Sequence, residues 1–241
     1  MPNENLNIAI IGASGAIGAE FVNQYAKNPN NIIHAFSRSE VSFAHNNVKT
    51  HFIDIENETS IKDAAEISTI DTELDIVIVA TGMLHNNDIM PEKSLKDLSS
   101  DKFQKLFSIN TIAPAIIAKH YLPKIKKDKK SLFAALSARV SSVSDNRLGG
   151  WYAYRSAKAA LNMVLKNSAI EIARTNKNAV IVGLHPGTVD SNLSKPFQSF
   201  VKPEKLFTAE YAVTELISVL NGLETSDSVN LYDFHGLKID F

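Results

Sequence analysis

Residues 7–22, NIAIIGASGAIGAEFV, pass from an apolar β-branched run through a glycine-rich turn into an amphipathic stretch. No other part of the chain constrains the fold as tightly. A strand without polar alternation must be covered on both faces, which a parallel α/β sheet provides. The turn has glycine at 12, 15 and 18, a G-x-x-G-x-x-G spacing rather than the general G-x-G-x-x-G. Gly12 permits a tight turn, Gly15 lets backbone approach a pyrophosphate, and Gly18 allows close helix-to-strand packing. The N–H groups and positive dipole end of the following helix then face the phosphates, with Ser14 as an added hydroxyl donor. The segment reads as the dinucleotide-binding turn of a βα unit.

The same alternation continues down the chain. Strand-like runs fall at Leu6 to Ile11, Asn31 to Phe36, Lys49 to Ile53, Asp75 to Ala80, Leu132 to Leu136, Ala179 to Leu184 and Val229 to Tyr232. Amphipathic stretches lie at Ala16 to Lys27, Ser60 to Ile67, Asp101 to Ile125, Tyr152 to Arg174 and Ala209 to Leu220. Repeated βαβ units predict an α/β fold: one Rossmann-like domain over 1–241, a doubly wound parallel sheet with helices on both faces. Its 241 residues suit one well-buried domain. Two polar, Pro-punctuated connections, 86–97 and 191–208, follow strand ends on the carboxyl side of the sheet, where such folds bind ligands. The second is long enough to serve as a substrate loop.

Composition removes several classes of function. With no cysteine there is no disulfide, thiolate metal site or cysteine nucleophile. A formal net charge of -1 gives no electrostatic footprint for nucleic acid or an anionic membrane. The Lys-rich stretch from Lys124 to Lys130 reads as a solvated helix end whose cations complement the dipole. His34, His45, His51, His85, His120 and His235 show no metal-binding spacing, and His185 reads as a residue shaping a strand end. There is no signal-like opening and no apolar run long enough for a bilayer, so a cytoplasmic protein is expected.

Candidate chemistry gathers at a few points. The second strand ends HAFSRSE, with Ser37 and Arg38 where an NAD site usually places an acid. A guanidinium there suits a 2′-phosphate, which favours NADP(H), with NAD(H) the second choice. Asp54 and Ile55, after the third strand, offer one polar and one apolar contact to an adenine; an Asp that caps a turn is the competing reading. Tyr154 and Lys158 are four residues apart and share a helix face. An ammonium beside the phenol is expected to lower its pKa and make it a general acid or base. Pro114 has no N–H for the carbonyl of Asn110, which frees that oxygen and predicts a kinked helix.

In this order and spacing the motifs resemble the short-chain dehydrogenase/reductase family over nearly the whole chain. RLGGWYAYRSAKAALN, HPGTVDSNLSKPF and YDFHGLKIDF are similar to the branch that includes C-factor-like and sniffer-like carbonyl reductases. The resemblance implies Tyr154, Lys158 and Asn110 as catalytic residues. It implies cofactor contacts from Gly12, Ser14, Gly15, Ile17 and Gly18, from Ala80, Thr81 and Gly82, and from Pro186, Gly187, Val189 and Ser191. The chain departs from the family at three places. Ala16 stands where glycine is commoner, and VIVATGML replaces the usual N-N-A-G, keeping only Gly82. Ala138 falls where the catalytic serine usually closes the fifth strand, leaving Ser137, Ser141 and Ser142 as substitutes.

The expectation is an NADP(H)-dependent carbonyl reductase or alcohol dehydrogenase acting on a small molecule, with Trp151 and Tyr152 walling its pocket and core packing as the competing reading for both. The resemblance implies a homodimer or homotetramer formed through the helices flanking the fifth strand. The displaced serine motivates a second hypothesis, a catalytically weak NADP(H)-binding sensor of the same fold.

Overall fold

Because their side chains are apolar on both faces, β1 (Asn7–Ile11), β4 (Ile76–Val79), β5 (Ser131–Leu136) and β6 (Ala179–His185) become the buried middle of one sheet. The computed structural model describes residues 5–241. β2 (Ile32–Ser37), β3 (Val48–Phe52), β9 (Leu231–Asp233) and β10 (Lys238–Ile239) complete eight strands in the order β10-β9-β6-β5-β4-β1-β2-β3. All neighbours run parallel except β10, which returns antiparallel to β9. Two further short strands, β7 (Thr188–Val189) and β8 (Leu206–Phe207), pair with each other outside this sheet.

Helices cover both faces. Alternate residues of β1 point to opposite layers, as the pleat requires. Ile8 and Ile10 pack with Phe21 and Val22 of α1 (Ala16–Ala26) and with Val213, Leu216 and Leu220 of α6 (Ala209–Gly222). Ala9 and Ile11 face the other layer. There they join Ile61 of α2 (Glu58–Ile67), Ile117 and Tyr121 of α4 (Ala113–Tyr121), and Leu161 and Leu165 of α5 (Tyr152–Ile172). Strand order reverses between β1 and β4, so a crevice opens beyond their carboxyl ends, the place where such sheets bind ligands.

The stretch expected as one helix from Asp101 to Ile125 is interrupted. α3 (Ser100–Phe107) gives way to a π-helical turn, Ser108–Ile112, before α4 begins, and a 3-10 turn at Leu122–Lys124 ends the run. Within the turn Ala113 N donates to Ser108 O, five residues back. Pro114 follows at once and has no N–H to restore the α-helical pattern around Asn110.

The Lys-rich stretch also differs from its expectation. It lies past the helix end, and its cations serve other elements. Lys126 and Lys129 each approach the buried Asp75 carboxylate at 2.9 Å. Lys130 donates to the carbonyls of Leu220, Asn221 and Leu223, so it caps the C-terminus of α6.

Close packing of α1 on β1 has a steric basis. A Cβ on Gly18 would lie 2.2 Å from the Gly12 carbonyl oxygen, a backbone atom that has nowhere to go. Gly18→Ala is therefore expected to lower stability by roughly 1–3 kcal/mol through overpacking. Urea unfolding of the two proteins measures it, and equal midpoints would show that the turn can relax.

Candidate active site

Gly12, at φ 97, turns the chain so that Gly12 N and Ala13 N both donate to Phe36 O at 2.9 Å. This bends the start of α1 toward a cavity of about 1280 Å³ above the sheet. Ser14, Gly15, Ala16 and Ile17 form one end of it, and no side chain caps the N-terminus of α1. Ala80, Thr81 and Gly82 line it, as do Pro186, Gly187, Val189 and Ser191. Tyr154 and Lys158 project into it from α5. Gly15 has no crowded neighbour, so unlike Gly18 it is not required by packing.

α5 is entered by an unusual turn. Gly149, Gly150 and Trp151 have φ of 62, 65 and 51 in succession, left-handed values that glycine adopts freely and tryptophan does not. Glu92 holds the strained residue: its carbonyl accepts from Trp151 N at 2.6 Å, and its carboxylate accepts from Ala153 N at 3.3 Å. Glu92 is almost fully buried, and sequence reasoning passed over it. The only available signal was an acid inside the 86–97 loop, which resembles any solvated loop acid.

One turn beyond, the Lys158 ammonium is buried and donates to Leu136 O at 2.8 Å, tying α5 to the end of β5. Asn110 is also fully buried. Its Oδ1 accepts from Met83 N at 3.0 Å, and its Nδ2 donates to Met83 O at 2.8 Å and Leu106 O at 3.0 Å. A methyl group on Gly82 would sit 3.3 Å from Asn110 Oδ1 and 3.5 Å from Lys158 Nζ. The bare backbone of Gly82 is thus the meeting point of the two side chains.

The electrostatics reverse one expectation. Burial pushes the Tyr154 phenol up to about 12 rather than down. Burial likewise pulls Lys158 down to about 7. The ammonium is bound to the Leu136 carbonyl, and a lysine that releases its proton near 7 is uncharged where the phenol titrates, so it does not lower the phenol. His185, at the end of β6, is drawn down to about 4 by burial and then by Arg139, and so is neutral near pH 7.

Ala138 and Ser137 both line the cavity, but the hydroxyls of the substitute serines are engaged by other groups. Ser137 donates to Asn162 Oδ1 at 2.7 Å. Ser141 donates to Ala138 O at 2.6 Å and accepts from Asn162 Nδ2 at 2.8 Å. Ser142 accepts from Asp145 N at 3.1 Å. Both Ser141 and Ser142 are buried outside the cavity wall. Ser37, Arg38, Asp54 and Ile55 also lie outside the large cavity. Ser37 and Arg38 border a smaller hollow of about 380 Å³ with Thr50 and Phe52. The Ser37 hydroxyl turns back to Ser39 O, and Asp54 Oδ1 accepts from Glu56 N at 3.0 Å, a turn-holding contact.

Comparison with known proteins decides the family. The sequence profile of the short chain dehydrogenases matches residues 6–202. The chain belongs to the short-chain dehydrogenase family. It is 27% identical over 146 residues to C-signal of Myxococcus xanthus, covering 61% of this chain and 82% of that protein. Its fold is similar to that of the NADPH-bound carbonyl reductase from chicken fatty liver, with TM-score 0.84, 21% identity and coverage of 99% and 100% of the two chains. The carbonyl reductase Sniffer of Drosophila melanogaster superposes with TM-score 0.83 at 18% identity, again over 99% and 100%.

In this family member the 191–208 segment is folded across the cavity. It carries 3-10 turns at Lys195–Phe200 and Pro203–Lys205. Asn192 O and Leu193 O each lie 3.2 Å from His85 Nε2, and the Phe197 ring packs 5.0 Å from that of Trp151. A Cβ on Gly187 would strike the Phe207 ring at 2.7 Å, which seats β8 against the turn after β6. Among the described residues no helix is long and apolar enough to cross a membrane.

Burial of Lys158 makes stability depend on pH. The unfolded chain keeps this proton up to the ordinary value of 10.5, while the folded chain releases it near 7. Between those values the unfolded state binds more protons, so stability rises with pH. Relative to Lys158→Met, the wild type should gain on the order of 1 kcal/mol per pH unit between pH 7 and 9. Parallel urea titrations measure the difference; identical pH slopes would mean that Lys158 stays charged when folded.

Proposed function

We propose that the protein is an NADP(H)-dependent carbonyl reductase, or in the reverse sense an alcohol dehydrogenase, with Tyr154, Lys158 and Asn110 as its catalytic residues. The observation that carries this reading is the shared cavity: the uncapped end of α1 opens at one side of it and Tyr154 and Lys158 at the other. The α1 terminus fits a pyrophosphate by dipole and by free N–H groups. Gly12, Ser14, Gly15, Ile17 and Gly18 form this cradle. Ala80, Thr81, Gly82, Pro186, Gly187, Val189 and Ser191 line the remainder of the cofactor site, with Asp54 and Ile55 toward the adenine. At the end of β2, Ser37 and the exposed Arg38 suit the 2′-phosphate of NADP(H).

When bound, NADPH would supply a hydride for the carbonyl carbon. Tyr154 gives its proton to the carbonyl oxygen, leaving an alcohol. The buried phenol holds that proton firmly in the resting protein, and it becomes a better acid when a cation is turned toward it. Lys158, anchored at Leu136 O, is within one helical turn for that role. Asn110 keeps the Met83 backbone and the Gly82 approach fixed beside Lys158. The 191–208 segment closes over the substrate and excludes water. Exposed Ile112, Met163 and Ile170 near or on α4 and α5 support association into a homodimer or homotetramer through that face.

Ala138 is the observation that favours the second reading, an NADP(H)-binding sensor with little turnover. A substrate oxygen there meets a methyl group instead of a hydroxyl donor. The two readings separate in one assay of NADPH oxidation, with NADH in parallel, across aldehydes, ketones and quinones. For a reductase we expect turnover with preference for NADPH, loss of at least about a hundredfold in Tyr154→Phe, and loss of the NADPH preference in Arg38→Ala. Restoring the donor with Ala138→Ser should raise kcat by about tenfold or more. NADPH binding without turnover in every variant would move the sensor ahead.

A further inference from the structure

Beyond Tyr154 the cavity opens between two unlike walls. One is apolar and ring-lined. Trp151 meets Phe197 at 5.0 Å between ring centroids and Tyr154 at 6.4 Å. At the mouth Leu148 and Phe200 are 92% and 89% exposed, although both border the cavity. A stacked or edge-packed ring fits such a surface.

The other wall is cationic. Arg155 follows Tyr154 on α5 and reaches into the same cavity. Its Nε donates to Gly150 O at 3.1 Å and its Nη1 to Val140 O at 3.2 Å. Both partners are neutral carbonyls, so they fix the guanidinium without balancing its charge. Burial already disfavours that charge. Lys93, exposed on the loop after β4, also borders the cavity, and no carboxylate pairs with it among the described residues. Arg139 differs, for Asp145 and Asp233 lie 3.4 and 3.3 Å from it. No Asp or Glu lines the cavity among the described residues. Neither Arg155 nor Lys93 belongs to the glycine turn or the end of β2, where a dinucleotide's phosphates are expected. A low-dielectric cleft lined by one sign of charge concentrates ligands of the other sign.

We propose that the substrate is a ring-bearing carbonyl compound that also carries a carboxylate, its ring along Trp151 and Phe197 and its anion at Arg155 and Lys93. This rests on the reductase reading above and names the substrate class of that site. In the reaction the carbonyl carbon takes hydride from NADPH, the oxygen takes a proton from Tyr154, and the carboxylate is unchanged.

The test compares 4-carboxybenzaldehyde with its methyl ester, which keeps the ring and the aldehyde but not the charge. Two readings are taken: kcat/KM with NADPH, and binding without cofactor followed by fluorescence of Trp151, the chain's one tryptophan. The acid should be favoured about tenfold or more in both, and the advantage should shrink as salt is added. Lys93→Gln and Arg155→Met should each cut that advantage several-fold. Lys93 is exposed, so its variant tests the idea even if Arg155→Met fails to fold. An ester that binds as tightly as the acid, or no binding by either compound, overturns the substrate class. An acid that binds selectively but is never reduced leaves the class standing and sinks the reductase reading instead.

Discussion

A lysine ammonium held in a dry place organises the cavity side of this molecule. Lys158 is buried and bound to the carbonyl that ends β5, which fixes the rotation of α5 about its axis and hence the direction of Tyr154. Its other neighbours adapt to it. Gly82 lets Asn110 and Lys158 approach the backbone closely, and the π-helical turn brings Asn110 to the end of β4. Burying a cation with so little compensation is costly, and its depressed pKa expresses that cost. Stability surrendered at one position in exchange for chemistry is the usual sign of a functional site.

The rest of the fold supplies rigidity around this point. Two apolar layers pack against the sheet and hold the ends of β1, β4, β5 and β6 side by side. Loops then divide the labour. The turn after β1 forms one end of the cavity, while the segments after β4, β5 and β6 wall the rest of it. Glu92 links two of these segments by gripping the left-handed Trp151, so the aromatic wall and the start of α5 are tied to one loop residue.

Much of this was legible in the sequence, for identifiable reasons. Seven strands were recognisable, the central ones because doubly covered strands are continuous apolar runs, and Gly12 and Gly18 were recognisable because backbone geometry there admits no other residue. β7, β8 and β10 were not seen, since two residues are too few to show a period. The interruption at Asn110 was foreseen from Pro114, though not its π-helical form. The Lys-rich stretch was misassigned because its partners, Asp75 and the end of α6, are distant in the chain.

Sequence by itself determined the architecture, the family and some of the residues around the cavity, Tyr154 and Lys158 among them. These follow from short-range patterns: hydrophobic period, glycine spacing and the four-residue step from Tyr154 to Lys158. Tertiary structure alone decided the charge states and the free hydroxyls. Tyr154 and Lys158 are displaced from their ordinary pKa values in directions set by burial, which no local string encodes. Ser137, Ser141 and Ser142 are taken up by contacts with Asn162, Ala138 and Asp145 that appear only once β5 and α5 are packed. Desolvation and hydrogen-bond partnership depend on what surrounds a group in space, and that is fixed when the layers close.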